Sequence, residues 1–170
     1  MESVFWELPD ADPDVDARFE KEEWFSSTLL EWGTCGKLLV SDGEALAFAE
    51  YAPSSLFPRL GEFPAARAAS ADAAYLAYCY AKEGHRGRGL GSRLVREVAR
   101  ELVERGFRAV EAIGDRAWDG GWVLPFEFLA ANGFAVVADD PRNPLMRLDP
   151  RVAASPLTTA ARAAVGLVPH

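Results

Sequence analysis

The chain has 170 residues with a formal net charge of -8, 49% of them hydrophobic and 26% charged, a length and balance that build one globular domain with its own core. That acidity excludes a general attraction to nucleic acid or to anionic membranes, both of which need clustered Lys and Arg. Cys35 and Cys79 are the only cysteines and His85 and His170 the only histidines; no metal-ligand spacing links them, so no metal is expected.

Taken in chain order, residues 3–8 are apolar-rich and read as a first strand, interrupted by Pro9 and Pro13. Asp14 or Asp16 can then cap a helix running to Trp32, with Gly33 as its stop. Residues 37–40 and 45–51 flank Ser41-Asp42-Gly43 and read as a hairpin with Asp-Gly in the turn. From Pro53 to Ala73 the pattern breaks down around Phe57-Pro58 and Phe63-Pro64, and a loop of this length is expected to be functional or mobile. Residues 74–81 form a Tyr-rich strand.

Residues 84–91 then hold four glycines in eight positions. In the helix that follows, Leu94, Val95, Val98, Ala99, Leu102 and Val103 share one face and charged residues the other, and Gly106 ends it. Residues 107–113 are the next strand. A loop over 114–123 carries Asp115, Asp119 and Trp122. Pro125 suits the first turn of a short helix that Asn132-Gly133 terminates. Residues 134–138 and 145–148 read as a final strand pair. The order β-α-β-β-β, glycine loop, α-β-α-β-β mixes hairpins with crossovers and predicts an α+β sheet. One domain is expected over residues 1–150, with 151–170 as a C-terminal tail, either a short helix or frayed. No basic leader precedes an apolar stretch at the start, and no apolar run approaches the roughly 20 residues that span a bilayer. A soluble, cytoplasmic protein is the expectation.

The glycine loop carries the chemistry. A strand enters it and an amphipathic helix leaves it, so the unpaired N–H groups and positive dipole end of that helix face the loop. Gly87, Gly89 and Gly91 let the backbone approach an anion closely, and Arg86 and Arg88 add positive charge. Together they make a phosphate cradle. The missing lysine before Ser92 argues against a Walker loop, and the alternatives are another nucleotide-binding enzyme or a plain glycine-rich turn with incidental arginines. The glycines read G-x-G-x-G, with Ser92 where a dinucleotide fingerprint places its last glycine.

Arg86-Gly87-Arg88-Gly89-Leu90-Gly91 resembles the R/Q-x-x-G-x-G/A motif of GNAT acetyltransferases, set between a strand and a helix as in that family. The element order is similar as well, and Phe128-Leu129-Ala130-Ala131-Asn132-Gly133-Phe134 looks like the family's late F-Y-x-x-x-G-F segment. The resemblance covers roughly residues 3–149. His85-Arg86-Gly87 and the Pro141-Arg142-Asn143-Pro144 segment are similar to actinobacterial members. It implies the GNAT acyl-CoA N-acyltransferase fold, with a mixed, mostly antiparallel, splayed sheet flanked by helices. It also implies acetyl-CoA as acyl donor, without a metal, bound by Arg86, Gly87, Arg88, Gly89, Leu90, Gly91 and Ser92 at the pyrophosphate. Cys79, Tyr80 and Ala81 would pair with the pantetheine as an added strand would. The partner it implies is a small-molecule or peptide amine; a homodimer is compatible with it.

Attack of an amine on a thioester needs a base, an oxyanion site and an acid for the thiolate. The residues offer Glu111, mid-strand among apolar neighbours, or Glu50 as base; the alternative for Glu111 is a solvent-facing strand residue or an ion pair with a nearby Arg. The family often uses a late-segment Tyr as acid, and that position is Leu129 here. Either the thiolate leaves unaided or Tyr80 or Tyr78 serves. Trp118, Trp122 and Asp115 are the substrate candidates. A second expectation is a protein of this fold that binds acyl-CoA without catalysis.

Overall fold

The protein is described from a computed structural model, which covers residues 5–8 and 16–155. Residues 5–7 form a turn, not the strand expected over 3–8, whose first two residues lie outside the described part. Trp6 there is fully buried against Phe63 and Tyr75. Its burial, and no ladder, ties this segment down.

Helix α1 (Ala17–Trp32) starts where Asp16 accepts hydrogen bonds from the backbone N–H of Arg18 and Phe19, and ends where Gly33 turns left-handed at φ 87°. Strands β1 (Gly36–Ser41) and β2 (Glu44–Pro53) form the expected hairpin. Asp42 and Gly43, at φ 51° and 79°, supply the two left-handed residues that a tight turn between twisted strands requires. Residues 54–68, expected as a loop, instead fold into three short 3-10 turns, Ser54–Leu56, Pro58–Glu62 and Pro64–Ala68. Their prolines stand at the first positions of the second and third turns, and Phe57, Leu60 and Ala65 are buried. The segment is a wall of the core.

Strand β3 (Ala73–Ala81) leads through the glycine loop into α2 (Leu90–Glu104), which is followed by β4 (Ala109–Asp115), the two-residue β5 (Leu124–Pro125), α3 (Phe126–Ala131), β6 (Ala135–Ala138), β7 (Leu145–Leu148) and α4 (Pro150–Ala154). The seven strands make one sheet ordered β1-β2-β3-β4-β7-β6, with β5 attached to β4. All neighbours are antiparallel except β3 with β4 and β4 with β5. This is the mixed, mostly antiparallel α+β sheet that the sequence predicts, flanked by helices. Leu94, Val98, Ala99 and Leu102 of α2 pack with Tyr51, Leu76 and Ala112 on one face of the sheet. Tyr75, Ile113 and Leu145, which alternate with them along the strands, pack with Trp6, Phe57 and Leu60 on the other.

One break in the sheet positions everything that follows. The β3–β4 ladder pairs only Ala73–Ala109, Ala74–Val110 and Tyr75–Glu111, and then the strands diverge. Past the break, β4 is paired through Gly114 and Asp115 with β5, while Gly114 N donates to Pro144 O on its other side. The Tyr75 hydroxyl stands in the fork and accepts from Ile113 N at 3.3 Å.

Candidate functional site

A cavity of about 530 Å³ occupies the fork. One wall is the far half of β3, from Tyr78 to Ala81, which has left the β4 ladder; the opposite wall is Trp118, Gly120 to Pro125, and Phe128. The glycine loop and the first turn of α2 close one end through His85, Arg86, Gly87, Gly89, Leu90, Gly91 and Ser92. Gly87 and Gly89 have φ of 72° and 75°, the left-handed region that a side chain disfavours. Gly89 is the residue that caps α2, and no acidic residue sits in that helix's first turn. Its free N–H groups and dipole therefore point at the cavity uncompensated. Gly91 has a different reason to be glycine: a Cβ there would stand 2.8 Å from the Phe128 ring. That contact draws the late segment against the loop.

Of the residues expected to hold the donor, Cys79, Tyr80, Ala81, Arg86, Gly87, Gly89, Leu90, Gly91 and Ser92 all line the cavity, whereas Arg88 does not. Arg86 donates from Nε to Ala81 O at 3.3 Å and lies 5.6 Å over the Tyr80 ring, so its charge is held at the junction of strand and loop. The Cys79 thiol donates to Gly91 O at 3.7 Å, and burial pushes its pKa up to about 12. It is a packed thiol and no nucleophile.

The acceptor-side expectations divide. Trp118 and Trp122 both line the cavity and are half exposed; Trp118 Nε1 donates to Gly121 O within the same loop. Asp115 is outside the lining. Its carboxylate accepts from Ala117 N at 2.9 Å and from Arg142 Nε and Nη2 at 3.3 Å. It anchors the loop that carries the two tryptophans.

Glu111 is not placed as the base it was expected to be. It is buried outside the cavity lining, with Oε1 accepting from Arg147 Nη1 at 2.8 Å and Oε2 from Ser70 N at 3.0 Å. Arg147 also reaches Asp72. Both oxygens are committed, and the ion-pair alternative is the one realised. Leu129, at the family's tyrosine position, is fully buried in the core.

Glu50 has an unusual setting. It is 0% exposed on β2 and stands opposite Tyr78 in register. Lys21 Nζ of α1 donates to Glu50 Oε2 at 2.7 Å and also to Glu7 Oε1. Lys21 is itself buried, 4.8 Å from the centre of the Tyr78 ring and 5.2 Å from that of Phe25. Burial holds the Glu50 carboxyl well above the usual carboxylate range; Glu7 adds to that shift, and Lys21 opposes it. Sequence reasoning placed Lys21 within a helix and did not single it out, since its partners lie 14 and 29 residues away. Among the described residues no group of three or more His, Cys, Asp or Glu is placed to hold a metal ion, and no helix is long and apolar enough to cross a membrane.

Comparison with known proteins matches this architecture. No curated protein matches the chain. Among solved structures, an N-acetyltransferase from Staphylococcus aureus Mu50 is 17% identical over 84% of this chain and 82% of its own, with a TM-score of 0.56. A ribosomal-protein-alanine N-acetyltransferase from Brucella melitensis is 18% identical over 84% of each chain, with a TM-score of 0.54. The PaiA N-acetyltransferase from Thermoplasma acidophilum, solved in complex with coenzyme A, is 17% identical over 76% of this chain and 70% of its own, at a TM-score of 0.54. At these identities the likeness is one of fold. The acetyltransferase (GNAT) family model matches residues 1–118, a stretch that runs from the first turn through the glycine loop to Trp118, and the chain therefore belongs to that family.

Proposed function

We propose that the fork cavity binds acetyl-CoA and that the protein transfers its acetyl group to a primary amine by direct attack. The observation that carries this reading is the pairing of two features on one cavity: the left-handed glycines opening α2, and the stretch of β3 that has left its ladder. The first offers N–H groups to a pyrophosphate. The second offers strand-edge groups to an extended pantetheine. The residues assigned to the donor are Arg86, Gly87, Gly89, Leu90, Gly91 and Ser92 at the phosphate end and Cys79, Tyr80 and Ala81 along the strand. Arg88 adds charge from outside the lining. The complex of the Thermoplasma relative with coenzyme A supports the same donor class.

The protein's own part in the chemistry is to orient the thioester, exclude water and handle protons. Glu50, buried outside the cavity lining but opposite Tyr78 of its wall, is assigned the proton of the incoming ammonium, and burial makes it a stronger base than an ordinary carboxylate. Trp118 and Trp122 are assigned the body of the acceptor, a small molecule or a peptide, and Asp115 their placement. The protein acts in the cytoplasm in this reading.

Calorimetric titration with acetyl-CoA, with CoA, ATP and NAD as controls, tests the donor site. Micromolar binding confined to the CoA species is expected. Gly89→Glu puts a carboxylate at the end of α2 and should abolish that binding while the circular dichroism spectrum stays native; unchanged affinity would sink the assignment. A second reading, acyl-CoA binding without turnover, is favoured by Leu129 at the family's tyrosine position. Acetyl transfer to spermidine, tyramine and a peptide with a free N-terminal alanine separates the two.

A further inference from the structure

With Leu129 in the core, the proton that a departing thiolate needs must come from elsewhere on the cavity. Among the lining residues, Tyr78, Cys79, Tyr80, His85 and Ser92 carry a donor of this kind. His85 and Ser92 belong to the glycine loop and the first turn of α2, the end assigned to phosphate. The Cys79 thiol is spent on Gly91 O. Tyr80 is 39% exposed, pairs in register with Phe48 and lies under the Arg86 guanidinium at the outer rim. Tyr78 is set apart by its position. It lies two residues further into the fork on the same face of β3, is 4% exposed, and meets Trp122 edge-on at 6.0 Å between ring centres. Behind its ring stands the Lys21 ammonium at 4.8 Å.

We infer that Tyr78 is the catalytic acid of this protein, and that Lys21 is the positioning residue whose buried charge stabilises the phenolate it leaves. The inference rests on the transferase reading above. In the step, the amine nitrogen bonds to the acetyl carbonyl carbon, the carbon–sulfur bond breaks, and sulfur takes the phenolic proton of Tyr78. The proton shed by nitrogen returns to the phenolate, so Tyr78 ends as it began. A phenolate in so dry a place requires a positive neighbour. Lys21 from α1 is that neighbour, fixed in place by Glu7 from the first turn and Glu50 from β2. Tyr75 is a titratable neighbour of Tyr78, and His85 and Arg86 face the same cavity. The arrangement accounts for a fully enclosed lysine beside an active-site wall, which packing alone does not require.

Tyr78→Phe removes one oxygen and keeps the ring between Lys21 and Trp122. The full-length variant and wild type are compared for acetyl-CoA affinity by calorimetry, for melting temperature, and for acetyl transfer to spermidine, tyramine and the alanine peptide across pH 6–10. Affinity within about twofold of wild type, a kcat lowered by roughly 100-fold, little change in KM for the amine, and loss of the alkaline limb of the kcat profile are expected. A variant with wild-type kcat and an unchanged alkaline limb overturns the inference and leaves the transferase reading standing. Wild type that binds acetyl-CoA yet acetylates none of the three amines overturns both.

Discussion

Glu50, Lys21 and Glu7 form a buried group of two carboxyls and one ammonium, and its energetics differ from those of the pairs on the surface. The Lys82–Glu44 and Arg18–Glu22 pairs are exposed and contribute little, since solvent screens them. At Lys21 the charges have left water altogether, and each oxygen without a partner keeps its desolvation cost; Glu7 Oε2 and Glu50 Oε1 are both in that position. The sign of the pH dependence follows. The carboxyl of Glu50 binds its proton more tightly in the folded chain than at its ordinary value of 4.5. Its contribution to stability is therefore fully present below that value and is lost as pH rises through the folded pKa. Glu50→Gln keeps the shape and cannot ionise. In urea denaturation the wild type should lose stability relative to Glu50→Gln as pH rises from 4.5 toward neutrality and beyond; a gap independent of pH would show that the shift is absent. The burial of Lys21 was not legible in the chain, and for Glu111 the sequence offered an ion pair with an arginine but not which one. Each depends on partners from distant strands, and a single sequence gives the residue type without its neighbour.

At the scale of elements, legibility followed local chemistry. Asp16 as cap, Gly33 as stop and Asp42-Gly43 as turn each act through bonds within a few residues, and each sits where the residues placed it. The face of α2 was equally plain, and Leu94, Val95, Val98, Ala99 and Leu102 are its buried side. Helix α1 was placed but not oriented: Lys21 and Thr28 are buried, while Phe19, Leu29 and Leu30 are exposed. Its periodicity is weak because one side covers a polar cluster instead of an apolar core. Residues 53–73 were misjudged for the related reason that prolines break the helical and strand patterns without preventing burial, and β5 is too short to leave a pattern at all. Helix α2 serves two ends, its flank in the core and its tip in the cavity, and these should separate on mutation. Leu94→Ala should cost about 3 kcal/mol of unfolding free energy through the cavity it leaves, measured by denaturant titration, with acetyl-CoA affinity unchanged. The variant at Gly89 should lose the affinity at a smaller cost in stability, about 1 kcal/mol for a side chain in the left-handed region.

For the whole molecule, the three-pair ladder between β3 and β4 divides the sheet into one half of β1, β2 and β3 and another of β4, β7 and β6, with α2 running across both. The candidate site was legible where it is built from a contiguous loop and strand, residues 79–92. On the opposite wall the sequence singled out Trp118 and Trp122 but not Leu124, Pro125 and Phe128, which reach the cavity only through the fork. The fork also has a spectroscopic consequence. Amides on the freed side of β3 have no strand to protect them when the cavity is empty, so deuterium should enter residues 76–81 faster than residues 47–50 of β2, which have a strand on both sides. A ligand that completes the sheet would close that exchange path. Mass-resolved deuterium uptake with and without acetyl-CoA should show slowing concentrated in residues 76–81 and the glycine loop; slowing confined to the loop would mean that the strand edge is not where the ligand lies.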